Sequence, residues 1–185
     1  MAPIMEELKS LAEEVGGLLL AQKLTLGLAE SCTGGLLAAA ITDVPGSSGY
    51  FNGGIVAYRN KVKKKVLKVT TPCLHKFGAV SAETATAMAR GARKATTARV
   101  GLSITGIAGP SGETKDKPVG LVYIALDARK LPLTLPSPLR GEDKKIVRQF
   151  NFSGNRQEIR QDACIKALEL LKEFLTQTTP IRIQK

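Results

Sequence analysis

The chain has no tryptophan, a single histidine, three cysteines and only 4% aromatic residues. Each scarcity removes a class of function. One histidine, His75, cannot build a multi-histidine metal site, and a Ser-His-Asp triad would have to use that residue. His75 falls in PCLHKFG, which reads as a surface turn, so hydrolytic chemistry here needs a lysine, tyrosine or carboxylate as its base. Cys32, Cys73 and Cys164 are odd in number, widely spaced and without a CxxC pair. They read as reduced thiols rather than a disulfide or zinc framework, and no metal is expected. No apolar run approaches the ~18 residues that span a bilayer. The opening MAPIMEELKSLAEEV is acidic and amphipathic rather than signal-like. A cytoplasmic protein with no membrane partner is expected. The shortage of aromatics argues against a stacking platform for single-stranded nucleic acid, although sequence-blind phosphate contacts stay compatible with the composition.

What is abundant is positive charge. Twenty-seven basic residues against 16 acidic ones give a formal net charge of +11. Such a field favours anionic partners, either nucleic acid or small phosphorylated molecules. The 185 residues are 43% hydrophobic, enough for one domain over 1–176 with a sizeable core, followed by a tail at 177–185.

Strand and helix patterns alternate. An amphipathic helix is predicted over 4–22, with Leu8, Leu11, Val15, Leu18 and Leu19 on one face. Strands are predicted at 25–29, 53–58 and 100–104, and helices at 34–42, 61–69 and 82–96. Asn60 and Ser81 are the expected caps of the last two helices, and Val62, Val66 and Val69 the buried stripe of the first of them. Segments 119–126 and 146–152 read as an antiparallel ribbon. Asn155 and Glu158 resemble a capping box that opens a closing helix to about residue 175. The order predicts an α/β fold, a three-layer α/β/α sandwich with a mixed central sheet. Segment 130–142, with three prolines and no period, reads as an inserted surface excursion without catalytic groups.

Three short segments are rich in glycine and hydroxyls: 29–35 (AESCTGG), 46–50 (GSSGY) and 105–112 (TGIAGPSG). They are predicted to converge on one cleft at strand ends, where open α/β sheets bind ligands. In the first, Thr33 is the expected N-cap, and the glycines behind it would leave helix N–H groups free for a phosphate or carboxylate. Glu30 reads as a buried carboxylate that organises this loop.

A serine becomes a useful nucleophile when a nearby base takes its proton. Two serines qualify: Ser48 before the second strand, and Ser31 at the first strand-to-helix turn. Lys63 is the candidate base, with Lys61, Lys64 and Lys65 as neighbouring cations that would depress its pKa. The competing reading is four solvated lysines. Cys32 has no histidine beside it and reads as packing.

AESCTGG, GSSGYFNGGIVAYRN with a lysine three residues later, GAVSAET, TGIAGPSG and KPVGLVYIAL occur in that order. Together they resemble the CinA C-terminal-domain family, whose stand-alone members include nicotinamide mononucleotide amidohydrolases. The resemblance runs from about Leu8 to Leu175. It implies an α/β/α fold, a homodimer, and a chain without the molybdopterin-binding-like domain that many members carry ahead of this one. It implies hydrolysis of the carboxamide of nicotinamide mononucleotide, a small-molecule substrate, with no metal or cofactor. It further implies Ser48 as nucleophile, Lys63 as base, and Ser31 and Tyr58 beside the reacting group. Thr33, Gly34, Gly35, Thr105, Gly106 and Gly109 would shape the nucleotide pocket, and Arg156 and Arg160 would meet phosphate. Two places depart from the family pattern: the longer 130–142 connection, and Gly154-Asn155-Arg156 where the family has GD-R. A non-catalytic nucleotide- or nucleic-acid-binding module of the same fold is the alternative, supported by the net charge and the lysines at 61–68.

Overall fold

The structure is a computed structural model that describes residues 2–129 and 143–176. The 130–142 excursion and the 177–185 tail lie outside the described residues. In chain order the elements are α1 (Ala2–Ala21), β1 (Leu26–Glu30), α2 (Leu36–Thr42), a 3-10 turn (Ser47–Gly49), β2 (Phe51–Val56), α3 (Asn60–Lys65), α4 (Thr71–Phe77), α5 (Ala82–Ala95), β3 (Val100–Gly106), β4 (Leu121–Ala128), β5 (Lys144–Asn151) and α6 (Arg156–Thr176). The strands form one sheet in the order β2-β1-β3-β4-β5. β1 is parallel to β2 and β3, while β4 runs antiparallel to β3 and to β5. The mixed sheet and the late antiparallel ribbon match the sequence reading.

Alternation along the buried strands builds two unlike faces. Leu26, Leu28, Leu102, Ile104, Ile124 and Leu126 point to one side, where they pack with α1, α2 and α6 in a single large core. Burying each such side chain contributes about 1.5–3 kcal/mol relative to leaving it in water. On the other side the same strands present small residues, among them Gly27, Ala29, Gly101, Ser103 and Ala125. Gly27 stands directly opposite Gly101 across the β1–β3 pair. This notch lets α5 lie close on the sheet. A methyl group at Gly101 would sit 2.1 Å from the Ala89 carbonyl oxygen, so no larger residue fits without moving α5. The Ser103 hydroxyl donates to the Ala85 carbonyl at 2.7 Å, and Arg93 of α5 forms a buried ion pair with Asp127 of β4. A second apolar cluster, including Met88, Ala92, Leu67 and Val69, joins α5 to the segment after α3.

Local signals set several boundaries as expected. The Ser81 hydroxyl caps α5 by accepting from the Thr84 N–H. At α6, Asn155 accepts from Gln157 and Glu158 while Glu158 accepts from the Asn155 N–H, the reciprocal pattern of a capping box. Two expectations fail. Asn60 does not cap α3: Arg59 holds that position without a side-chain bond, and the helix is only six residues long. Its apolar stripe shifts accordingly, with Leu67 and Val69 buried and Val66 40% exposed. The PCLHKFG stretch is not a turn but α4. Pro72 sits in the first turn, where no N–H is needed, and Thr70 caps by accepting from the Cys73 N–H.

Candidate active site

The site forms where β1 ends. Glu30 is the last strand residue, and the Ser31 N–H still reaches across the sheet to the Ile104 carbonyl at 3.0 Å. The chain then turns sharply into α2 through Gly34 and Gly35, both left-handed, with φ of 63° and 101°. Glycine adopts that conformation without steric strain. Gly35, not Thr33, occupies the N-cap. The Glu30 carboxylate folds under the new helix and accepts from the N–H groups of Gly35, Leu37 and Ala38 at 2.9, 3.2 and 2.8 Å. The helix amides expected to await a ligand are therefore occupied, and Glu30 organises the loop as expected. Thr33 is fully buried. Its carbonyl accepts two bonds from the Arg160 guanidinium, at 2.7 and 3.3 Å.

Lys63 of α3 points inward against this turn and is 1% exposed. Its Nζ lies 2.9 Å from the Ser31 hydroxyl oxygen, 2.7 Å from the Ala57 carbonyl and 3.4 Å from the Tyr58 carbonyl. Burial lowers its pKa from 10.5 to about 8, opposed in part by the nearby Cys32. Lys61, Lys64 and Lys65 are exposed and do not contribute to that shift, contrary to expectation. A neutral Lys63 amine donates its two hydrogens to the carbonyls of Ala57 and Tyr58. Its lone pair then faces the Ser31 hydroxyl. That is the geometry of a general base beside a nucleophile. Burial also raises the Cys32 thiol to about 11, consistent with a packing role.

The remaining expected site residues divide. The Tyr58 side chain is 57% exposed, and its hydroxyl accepts from Arg156 at 2.9 Å. Arg156 also donates to the Gly109 carbonyl at 2.6 Å, so one guanidinium ties the loops after β2 and β3 to the start of α6. Arg156 and Arg160 line a cavity of about 500 Å3 together with Leu36, Asn155 and Gln157. Thr105 is less available than expected, because its hydroxyl donates to the Ala79 carbonyl at 2.8 Å. Gly106 is required by packing, since a Cβ there would lie 2.6 Å from Val122.

Ser48 is not brought to Lys63. It stands exposed in the turn that precedes β2. β1 and β2 are parallel, with Leu26 opposite Phe51 and Glu30 opposite Val56. Ser48 therefore lies at the end of the sheet where β1 and β2 begin, and Ser31 and Lys63 where they finish. The length of β1, about 16 Å at 3.3 Å per residue, separates them. For the same reason only two of the three glycine-rich segments converge: 29–35 and 105–112 share the carboxyl end, while 46–50 sits at the other.

Two contributors were not foreseen. The carbonyls of Ala57 and Tyr58 orient the lysine, and backbone groups leave no mark in a sequence. Lys117 donates to the carbonyls of Phe77 and Val80, both at 2.7 Å, fastening the loop after β3 to the turn before α5. Its only signal was its place in the KPVG stretch.

A three-layer α/β/α domain with a buried serine–lysine pair at the carboxyl end of its parallel strands defines the class of protein. The chain belongs to the CinA family, since the family model for the CinA C-terminal domain matches residues 8–175. It is 45% identical to a CinA-like protein of Citrifermentans bemidjiense over 179 residues, which are 96% of this chain and 40% of that protein. It is 48% identical over 168 residues to a CinA-like protein of Endomicrobium trichonymphae, covering 90% of this chain and 36% of that protein. The chain thus spans about two fifths of the length of the curated relatives it matches. Among solved structures, the competence/damage inducible protein CihA of Agrobacterium tumefaciens superposes with a TM-score of 0.82 at 37% identity, covering 91% of this chain and 95% of that one.

Proposed function

We propose that this chain is an amidohydrolase that converts nicotinamide mononucleotide to nicotinate mononucleotide and ammonia. The observation that carries the reading is the 2.9 Å contact between the Ser31 hydroxyl and a buried, easily deprotonated Lys63. The nucleophile assigned by resemblance to Ser48 is reassigned to Ser31 on that geometry.

Neutral Lys63 takes the Ser31 proton as Oγ attacks the carboxamide carbon. The tetrahedral adduct collapses, its C–N bond breaks, and Lys63 returns the proton to the departing nitrogen, which leaves as ammonia. The acyl group is then an ester on Ser31. Lys63 next accepts a proton from a water that attacks this ester, and the carboxylate product is released with Ser31 restored. The Arg156 and Arg160 guanidiniums in the adjoining cavity have donors to spare for a substrate phosphate. Hydrolysis needs no redox partner, and no cofactor enters the proposal.

The test is ammonia release from nicotinamide mononucleotide by the wild type and by Ser31→Ala, Lys63→Met and Ser48→Ala. The first two should lose at least about 10³-fold in kcat, the scale expected when a nucleophile or its base is removed. Ser48→Ala should stay near wild type. A slowly hydrolysed substrate should leave its acyl group on Ser31, read by mass spectrometry of peptides. Full activity in Ser31→Ala, or an acyl group elsewhere, would overturn the assignment.

A further inference from the structure

Three cavities lie end to end along the outer flank of α5 and share side chains. One, of about 400 Å3, is lined by Lys68, Thr86, Arg90 and Lys145 with Glu83. The next, also about 400 Å3, shares Lys68 and Arg90 and adds Lys94. The third, about 630 Å3, shares Lys94 and adds Arg93, Arg99 and Arg129 with Asp143. Joined, they make one open groove that follows α5 toward the end of the sheet opposite Ser31. Lys68, Arg90, Lys94, Arg99, Arg129 and Lys145 are all exposed. None of these six belongs to an ion pair among the described residues. Among the described residues, only two carboxylates, Glu83 and Asp143, stand with them.

We propose that this groove binds the phosphate backbone of duplex nucleic acid without reading its sequence. The cations come from three separate places: the segment after α3 (Lys68), the outer face of α5 (Arg90 and Lys94), and the one end of the sheet where β3 and β5 begin and β4 finishes (Arg99, Arg129 and Lys145). Their convergence gives a track rather than a point. Arg90 and Lys94 are one helical turn apart, about 6 Å along the axis, comparable to the spacing of neighbouring phosphates on a strand. The 14 residues of α5 span about 21 Å, the length of about six base pairs at 3.4 Å each. Among the described residues, no aromatic side chain lines any of the three cavities. That removes the stacking surface that unpaired bases use, and it leaves the backbone of a duplex as the partner whose charge the groove complements. The shortage of aromatics in the sequence thus argues for a duplex rather than against nucleic acid altogether. The groove shares no residue with the Ser31–Lys63 pair, so this inference does not depend on the proposed hydrolysis.

The experiment is fluorescence anisotropy of a labelled 20-base-pair DNA of arbitrary sequence, titrated with the full chain between 50 and 200 mM salt. Arg90→Glu/Lys94→Glu is compared with Lys9→Glu/Lys172→Glu, which makes the same net-charge change on the α1 and α6 layer. The groove variant should bind about tenfold or more weakly at the lowest salt. Its slope of log affinity against log salt should be shallower by about two, as for two lost phosphate contacts. The control should stay within about threefold of wild type, as expected when no phosphate contact is lost. Should charge reversal disturb α5, Arg90→Gln/Lys94→Gln should preserve the same ordering. Equal weakening in both variants, absence of duplex binding at 50 mM salt, or tighter binding to phosphatidylserine vesicles than to the duplex would each overturn the proposal.

Discussion

A lysine works as a base only while its amine is neutral, and the setting of Lys63 makes that state accessible near neutral pH. Its folded pKa of about 8 lies below the 10.5 of an unburied lysine, so the folded chain releases the proton first. The unfolded chain holds more protons between those two values, and stability therefore rises with pH across that window. Below about 8 the buried ammonium destabilises the fold by its full amount. The proposed chemistry follows the same proton. The kcat/KM for nicotinamide mononucleotide should climb about tenfold per pH unit below pH 8 and level off above it. Lys63→Arg should abolish that limb together with turnover, because a guanidinium does not deprotonate in this range. A profile in the wild type that is flat from pH 6 to 9 would exclude Lys63 as the base. The sequence names Lys63 as the candidate base but leaves open the reading in which all four lysines are solvated. KVKKK offers four of similar character, and only the packing of α3 behind the end of β1 selects one for burial. The choice between serines was more accessible. In parallel strands a residue that follows one strand and a residue that precedes its neighbour lie at opposite ends of the sheet. Ser31 follows β1 and Ser48 precedes β2, so the polarity already separates them.

Elements with local signals were legible, and elements that depend on tertiary capping were not. The α6 start carries its own capping box, and α5 its own serine cap. α2 has neither. Its first turn is completed by Glu30, a residue of the preceding strand, which supplies an acceptor for three amides. The carboxylate is 1% exposed, so these bonds form away from water. Glu30→Ala leaves the three donors unsatisfied, at a cost of about 3 kcal/mol in total, and it also frees the turn that carries Ser31. We expect urea unfolding of Glu30→Ala to show that loss, with activity falling further than the loss of folded protein explains. Glu30→Gln keeps one acceptor and should fall between the two. An alanine variant as stable as wild type would mean that α2 is held by packing alone. α4 escaped the sequence reading for a related reason. Pro72 looks like a breaker, but at the first turn it interrupts nothing, and the compensating cap comes from Thr70.

At the scale of the whole molecule, the two proposed anion sites lie apart along one sheet. The cavity bearing Arg156 and Arg160 sits at the carboxyl end of the parallel strands, and the cationic groove follows α5 to the opposite end. Sites this far apart with no shared side chain should act additively. Thermal melting of Ser31→Ala, which on the proposed function should bind nicotinamide mononucleotide without consuming it, measures the first site alone. At a ligand concentration about 100 times its Kd, binding stabilises the fold by about 2.7 kcal/mol. For a chain of this size that raises Tm by about 5–10 °C. The triple variant Ser31→Ala/Arg90→Glu/Lys94→Glu should show the same increment, whereas Ser31→Ala/Arg156→Ala/Arg160→Ala should lose most of it. If reversal of the groove charges removed the increment instead, the mononucleotide would be held along α5, and the serine–lysine pair would have no substrate beside it. Net positive charge alone predicts a partial loss in both variants. A shift confined to the Arg156 and Arg160 variant is therefore the result that separates a built phosphate site from the general field of the protein.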